Sequence, residues 1–136
     1  MLDKSCCGGN AIILACSGGS NVGQITNEAA KALTGLGVGA MSCAIGMGAR
    51  LPRFVDSVQE AAVCVALDGC PVGCVKAALA NVGRDPEVYV VVTELGIAKQ
   101  PGFEVTPEQV AQVAEAVQAQ LPAPPEAAAG CCGGQS

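Results

Sequence analysis

The chain has 136 residues and a formal net charge of −5, which indicates one acidic domain large enough to bury a hydrophobic core. This charge, without any cluster of lysines and arginines, argues against binding to nucleic acid or to anionic membranes. Hydrophobic residues make up 51% of the chain and aromatic residues only 2%, so we expect a core of valine, isoleucine, leucine and alanine.

Short apolar runs alternate with helix signals along the chain. We predict strands over residues 10–16, 38–45, 61–67 and 87–93, and helices over about 24–36, 50–60 and 72–81. A last helix is predicted from Thr106 as N-cap, with Pro107 at its first position and Gln109 completing a capping box. Continuously apolar strands between helices are typical of a parallel sheet that is covered on both sides. The predicted fold class is therefore α/β, a Rossmann-like three-layer α/β/α sandwich with a small, mainly parallel sheet.

The chain contains nine cysteines and no histidine. It shows neither a basic-then-apolar leader nor an apolar run of membrane-spanning length, so we expect a reducing, cytoplasmic environment. In that environment an odd number of cysteines predicts roles other than disulfide bonds. The lack of histidine excludes Cys-His and Ser-His-Asp catalysis, so any metal must be held by cysteine, with or without a carboxylate.

The most informative motif is the pair Cys70 and Cys74, which encloses Pro-Val-Gly. Cys70 follows the strand 61–67 through Asp68 and Gly69 and is predicted at or next to the N-cap of the following helix. There the free N–H groups and the helix dipole favour a thiolate. Two features have open alternatives. Asp68 either polarises the site or caps the turn, and the loop 17–23 either cradles an anion or is a plain strand–helix turn.

The predicted topology gives four cysteines a common location. Cys16 ends the first strand and Cys43 lies in or after the second, while Cys70 follows the third and Cys74 lies one turn into the next helix. Because the carboxyl ends of parallel strands meet at one edge of a sheet, we predict that these four thiols converge there. Four thiolates suit Zn²⁺ or an iron–sulfur cluster, whereas Cys70 as nucleophile with Cys74 as resolving partner suits sulfur transfer or thiol redox chemistry. Cys64, in mid-strand, is predicted to be a buried apolar residue.

Several short motifs, in this order, resemble those of the DGC-domain family, small proteins named after a central Asp-Gly-Cys and inferred to bind zinc. The resemblance implies four chelating cysteines, at Cys16, Cys43, Cys70 and Cys74. From the two kinds of thiolate chemistry above, the expected partner is a metal ion or a sulfur donor or acceptor protein. It does not supply a reaction. The motifs that carry it are Cys16-Ser17-Gly18-Gly19-Ser20, Gly23-Gln24, Asn27-Glu28-Ala29-Ala30, Ala66-Leu67-Asp68-Gly69-Cys70-Pro71-Val72-Gly73-Cys74 and Glu94-Leu95-Gly96-Ile97-Ala98-Lys99.

Both ends of the chain carry Cys-Cys-Gly-Gly. The sequence predicts a flexible N-terminal arm over 1–9, an α/β domain over 10–121, and a disordered linker and C-terminal tail over 122–136. Vicinal thiols in such arms are either idle or capture soft ions and persulfide sulfur for a fixed site. The accessory ligands predicted on this basis are Cys6, Cys7, Cys131 and Cys132.

Overall fold

The computed structural model describes residues 11–122, which form a four-stranded sheet with five α-helices. The strands are β1 (Ala11–Ala15), β2 (Ala40–Met41), β3 (Val63–Asp68) and β4 (Val88–Val91). The helices are α1 (Asn21–Gly35), α2 (Ala44–Gly48), α3 (Pro52–Glu60), α4 (Cys74–Asn81) and α5 (Pro107–Gln120), and a 3₁₀ turn covers Val92–Leu95.

All strand pairs are parallel, and the strand order is β2-β1-β3-β4. The predicted α/β class with a small parallel sheet is therefore confirmed. From β1 the chain first moves outward to β2 and then returns to the other side of β1 as β3. The order thus reverses between β1 and β3, and in open parallel sheets ligands bind at such a reversal, beyond the carboxyl ends of the strands.

The core consists of two clusters that take alternate residues from the strands. Ile13 and Ala15 of β1 pack in the cluster that contains the buried residues of α1 and α5. Ile12 and Leu14 pack in the cluster with Met47 and with buried residues of α3 and α4. Because successive strand residues point to opposite faces, the two clusters lie on opposite sides of the sheet. The described helices therefore contribute buried residues to both faces of the sheet.

Side-chain hydrogen bonds define the residues at which α1 and α5 begin. The Ser20 hydroxyl accepts a hydrogen bond from Gly23 N at 3.0 Å and caps α1, which begins three residues before the predicted start. The predicted capping box of α5 is confirmed, since the Thr106 hydroxyl accepts from Gln109 N and the Gln109 side chain accepts from Thr106 N. These caps satisfy N–H groups that have no partner inside the helix.

The second predicted strand is wrong over most of its length. Only Ala40–Met41 is a strand, and Cys43 is the N-cap of α2, where its Sγ accepts a hydrogen bond from Gly46 N at 3.2 Å. Gly46 lies against the ring of Phe54, so close that a Cβ at this position would overlap the ring. Gly46 therefore serves the close packing of α2 on α3 rather than strand pairing.

Within residues 11–122, no helix combines the length and the apolar character needed to cross a membrane.

Candidate thiolate site

The loops that follow β1 and β3 lie side by side at the reversal point. Cys16 comes directly after β1, and its backbone N donates to Leu67 O of β3 at 3.0 Å. Cys70 comes two residues after the end of β3. Both cysteines therefore lie at the carboxyl edge of the sheet, on adjacent strands.

Cys70 has a cationic neighbour. Its side chain is half-buried against the core on the side of α1 and α5, and the Nζ of Lys99 lies 3.6 Å from its Sγ. An ammonium at this distance is a counter-ion for an anionic sulfur. Among the described residues, Cys70 is the cysteine whose sulfur is in contact with a charged side chain.

The segment that carries Lys99 is held by a buried side chain of α1. Asn21 is 6% exposed, and both polar atoms of its amide are used. Nδ2 donates to Ala98 O at 2.9 Å, and Oδ1 accepts from Gln100 N at 2.8 Å. Asn21 thereby fixes the backbone on either side of Lys99 and is a positioning residue for its contact with Cys70.

Cys16 is in a different environment. Its Sγ lies 3.6 Å from the Oγ1 of Thr26, a buried hydroxyl that accepts from Ser17 N at 3.1 Å and donates to Gly23 O at 2.6 Å. Through these contacts Thr26 ties the start of the loop after β1 to α1.

The loop after Cys16 is a tight strand–helix turn. Ser17 has a positive φ of 50°, and its Oγ donates to Asn27 Oδ1 at 2.8 Å. The Gln24 side chain donates to Gly18 O at 2.9 Å. A Cβ at Gly23 would lie 2.6 Å from the backbone of Gly18, so only glycine allows this close approach. These internal bonds favour the turn over the anion cradle as the function of the loop.

The predicted N-cap position of Cys70 is wrong. Helix α4 begins at Cys74, and its N-cap is Gly73, whose φ of 69° lies in the left-handed region. The side chain that caps α4 is Asp68, which accepts from Val75 N at 2.8 Å and from Lys76 N at 3.1 Å. This buried carboxylate takes the N–H groups of the second and third residues of α4, so these two groups are not available to a sulfur anion.

Asp68 also accepts a hydrogen bond from the hydroxyl of Tyr89 at 2.8 Å. Tyr89 lies on β4, and the Nζ of Lys76 sits 4.9 Å above its ring. Burial and the bond to Asp68 raise the pKa of Tyr89, so the phenol stays a donor over the physiological range. Of the two alternatives for Asp68, the structure supports the capping role.

The four cysteines predicted as zinc ligands are not gathered into one ligand group. Among residues 11–122, no three cysteine, histidine, aspartate or glutamate side chains are placed to hold one metal ion. The reason lies in the directions of the side chains. Cys16 packs against the core on one face of the sheet and Cys70 against the core on the other, while Cys43 and Cys74 are exposed at two different helix starts. As placed in residues 11–122, the four thiols do not surround one ion, and the zinc site stays a prediction.

The accessory ligands predicted at the chain ends, Cys6, Cys7, Cys131 and Cys132, lie outside the described residues.

Cys64 is fully buried in β3, as the sequence predicted. Burial raises the pKa of its thiol to about 11. We therefore expect Cys64 to resist alkylation by iodoacetamide at pH 8 in the folded protein and to react as soon as the protein is unfolded in denaturant. Peptide mapping by mass spectrometry checks this. Exposed Cys74 is the internal control and should be labelled without denaturant, and labelling of Cys64 at the same rate would contradict this prediction.

Sequence reasoning missed Lys99, Asn21 and Tyr89 as site residues. Lys99 stands in the quoted motif Glu94–Lys99, but nothing in the spacing indicates which cysteine it approaches. The sequence places Asn21 in a polar loop, whereas its two hydrogen bonds reach residues almost 80 positions further along the chain. Such contacts follow from the packing of α1 against the segment after the 3₁₀ turn.

Comparison with known proteins gives one family and one informative relative. The profile of the DGC domain family matches residues 12–117. The chain is 37% identical, over 91 residues, to a protein of Pseudomonas aeruginosa strain PAO1 named anaerobic and virulence modulator AnvM. The aligned part covers 67% of this chain and 70% of that protein. No solved structure matches the chain.

Proposed function

The chain belongs to the DGC domain family, and from this premise we propose that it is a thiol protein in which Cys70 accepts sulfur from a persulfide donor protein and passes it on. The observation that carries the proposal is the contact between Cys70 Sγ and Lys99 Nζ, 3.6 Å apart at the reversal point of the sheet. A half-buried sulfur beside a cation, at the edge where such sheets bind ligands, is suited to react as an anion.

The reaction is a thiol–persulfide exchange. The Cys70 thiolate attacks the outer sulfur of the donor's persulfide, a new S–S bond forms at Cys70, and the donor leaves as a thiolate. No electrons are gained or lost overall, so no external oxidant or reductant is needed. Cys70 now carries the terminal sulfur as an anion, and Lys99 remains its counter-ion.

Transfer onward repeats the exchange with an acceptor thiol, which attacks the outer sulfur and restores the Cys70 thiolate. Cys74 is exposed four residues away and is the nearest cysteine along the chain. We assign it the resolving role, in which it attacks the inner sulfur of Cys70, forms a Cys70–Cys74 disulfide and releases hydrosulfide. A reductant of the thiol class then has to reopen that disulfide, which is consistent with a reducing, cytoplasmic compartment.

The name of the Pseudomonas relative refers to the modulation of anaerobic functions and virulence. Cysteine thiolates and the sulfur they carry are open to oxidation, so a protein that carries sulfur on a thiol is chemically suited to oxygen-poor conditions. We extend this suggestion to the present chain as part of the proposal.

Loss of the cation is expected to slow sulfur loading. Exposed ion pairs contribute up to about 1 kcal/mol, so Lys99→Met should lower the rate at which Cys70 takes sulfur from a cysteine-persulfide donor by about two- to fivefold at low salt. The control is Lys31→Met, which removes the same charge from an exposed position whose ion-pair partner is Glu28. Trapping persulfides with an alkylating agent and mapping the labelled peptides gives the rate at each cysteine.

The difference between the two variants should shrink in high salt, because screening weakens the ion pair. Cys70→Ser should abolish the trapped persulfide, whereas Cys64→Ser should leave its amount unchanged. Equal loading of Lys99→Met and Lys31→Met, or sulfur that persists in Cys70→Ser, would rule out the proposed role of this pair.

Zinc binding through Cys16, Cys43, Cys70 and Cys74, or an iron–sulfur cluster on the same residues, is the second candidate. The observation that favours it is that Cys16 and Cys70 follow adjacent strands at one edge of the sheet. Binding of one ion requires the side chains of Cys16 and Cys70 to turn toward each other. It also requires the turn over residues 70–74 to bring the Cys74 sulfur within reach of the same ion. In that case Cys70→Ser should lower the metal content far more than Cys64→Ser.

A further inference from the structure

The helices α2 and α4 run side by side and in the same direction. They follow the parallel strands β2 and β3, and they contact each other through small residues, because a Cβ at Gly48 would lie 3.7 Å from the Cβ of Ala78. Just beyond the end of α2, the Nη2 of Arg50 donates to the carbonyl O of Asn81, the last residue of α4, at 3.3 Å. Since the two helix ends lie together, the two helix starts also lie together, at the carboxyl edge of the sheet.

This packing brings Cys43 and Cys74 to nearly the same height. Cys74 is the first residue of α4 and lies about one turn before Ala78, on the same side of the helix. Cys43 is the N-cap of α2, five residues before Gly48. With a rise of about 1.5 Å per residue, the two cysteines lie about 6 Å and about 7.5 Å from the level of the contact. Small residues at the contact let the helix axes approach closely, and both cysteines are exposed.

The other two cysteines that follow strands at this edge are directed elsewhere. The sulfur of Cys16 lies against a buried hydroxyl of α1, and Cys70 packs with the cluster on the opposite face of the sheet. The Sγ of Cys43 accepts a hydrogen bond from Gly46 N, and a rotation about its Cα–Cβ bond releases it. The packing of α2 on α4 therefore makes Cys43 the natural partner of Cys74.

We propose that Cys43 and Cys74 form a reversible disulfide that joins the start of α2 to the start of α4. The two thiols lose two protons and two electrons, and a disulfide oxidant such as oxidised glutathione takes them up and leaves as two thiols. The exchange passes through a mixed disulfide on one of the two cysteines. The disulfide depends only on the packing of α2 and α4. Its consequence for regulation rests on the proposed function, since oxidised Cys74 can no longer resolve Cys70.

The test compares the same disulfide in the folded and the unfolded chain. Full-length protein is equilibrated with reduced and oxidised glutathione, in buffer and in denaturant, and the disulfides are identified by peptide mapping. We expect the link between Cys43 and Cys74 as the main product. Its equilibrium constant against glutathione should be at least about tenfold larger in the folded protein, because folding holds the ends of the loop 44–73 together. The thiols outside the described residues are removed by Cys6→Ser, Cys7→Ser, Cys131→Ser and Cys132→Ser.

Two matched variants test the role of the helix contact. Ala78→Leu adds bulk where α4 meets α2, and Ala80→Leu makes the same change on an exposed position of α4. We expect the equilibrium constant of the link to fall at least about fivefold in Ala78→Leu and to be unchanged in Ala80→Leu. Circular dichroism reports whether both variants fold, and the comparison of folded with unfolded protein does not need either of them.

An equilibrium constant that is no larger in the folded protein would overturn the proposal, and so would equal values in two folded leucine variants. A main product that joins Cys74 to Cys70, that includes Cys16, or that forms between two chains would overturn it as well. The link between Cys43 and Cys74 should also form in Cys70→Ser, where the proposed sulfur loading is lost. Failure of the disulfide and failure of the sulfur chemistry are therefore seen separately.

Discussion

Replacing Asp68 with alanine is expected to lower the free energy of unfolding by about 3–5 kcal/mol. Asp68 is 1% exposed, and its carboxylate accepts from two N–H groups of α4 and from the hydroxyl of Tyr89. Removal leaves three donors without their partner, and each unsatisfied buried group costs about 1–3 kcal/mol. Denaturant unfolding followed by circular dichroism measures the loss.

Asp56→Ala is the matched control, because Asp56 is an exposed aspartate on α3. It should change stability by less than about 0.5 kcal/mol. Asp68→Asn keeps the shape and one acceptor oxygen, so we expect a smaller loss than for alanine. If Asp68→Ala unfolds with the same midpoint as Asp56→Ala, the carboxylate does not cap α4 and the assignment of Asp68 as a structural residue is wrong.

Replacing Gly69 with alanine is expected to destabilise the fold by about 1–3 kcal/mol through overpacking. A Cβ at this position would lie 2.8 Å from the backbone carbonyl carbon of Val22 and 2.9 Å from Gly23 N. Both contacts are with the backbone of α1, which cannot move aside as a flexible side chain would. Because this approach also fixes α1 next to Cys70, the variant should lose the contact between Lys99 and Cys70 and load sulfur more slowly.

Gly48→Ala tests whether the loss of stability in Gly69→Ala comes from the close contact with α1 or from the change to alanine itself. A Cβ at Gly48 would lie 3.7 Å from the Cβ of Ala78, an ordinary van der Waals distance. This variant should be as stable as the wild type or slightly more stable, since alanine favours helix. Equal unfolding midpoints for the two glycine variants would contradict the close-packing role of Gly69.

Much of the fold could be predicted because its signals are local. The strands β1, β3 and β4 are continuous apolar runs, and α5 is defined by Thr106, Pro107 and Gln109. The parallel direction follows from the helices between the strands. The second strand was extended too far because Cys43 caps a short helix through its sulfur, an unusual cap that sequence patterns do not indicate.

The candidate site was predicted only in its location. The positions of Cys16 and Cys70 at the carboxyl edge follow from the order of strands and loops. The chemistry around them depends on longer-range contacts, such as those of Lys99 with Cys70 and of Asp68 with α4. The convergence of the four cysteines on one ion stays a prediction, because topology places backbone segments and does not fix side-chain contacts. In the structure Cys16 packs with one core cluster and Cys70 with the other.

The most direct test of Cys70 as a sulfur-carrying thiol is the content of full-length protein purified without oxygen. Sulfane sulfur, metals and the visible spectrum are measured on one preparation, beside Cys70→Ser and Cys64→Ser. Our account predicts colourless wild-type protein that carries labile sulfur on Cys70, retains it in Cys64→Ser and lacks it in Cys70→Ser. One tightly bound zinc per chain that disappears in Cys70→Ser, or a brown iron–sulfur chromophore, with no labile sulfur on Cys70, would contradict it.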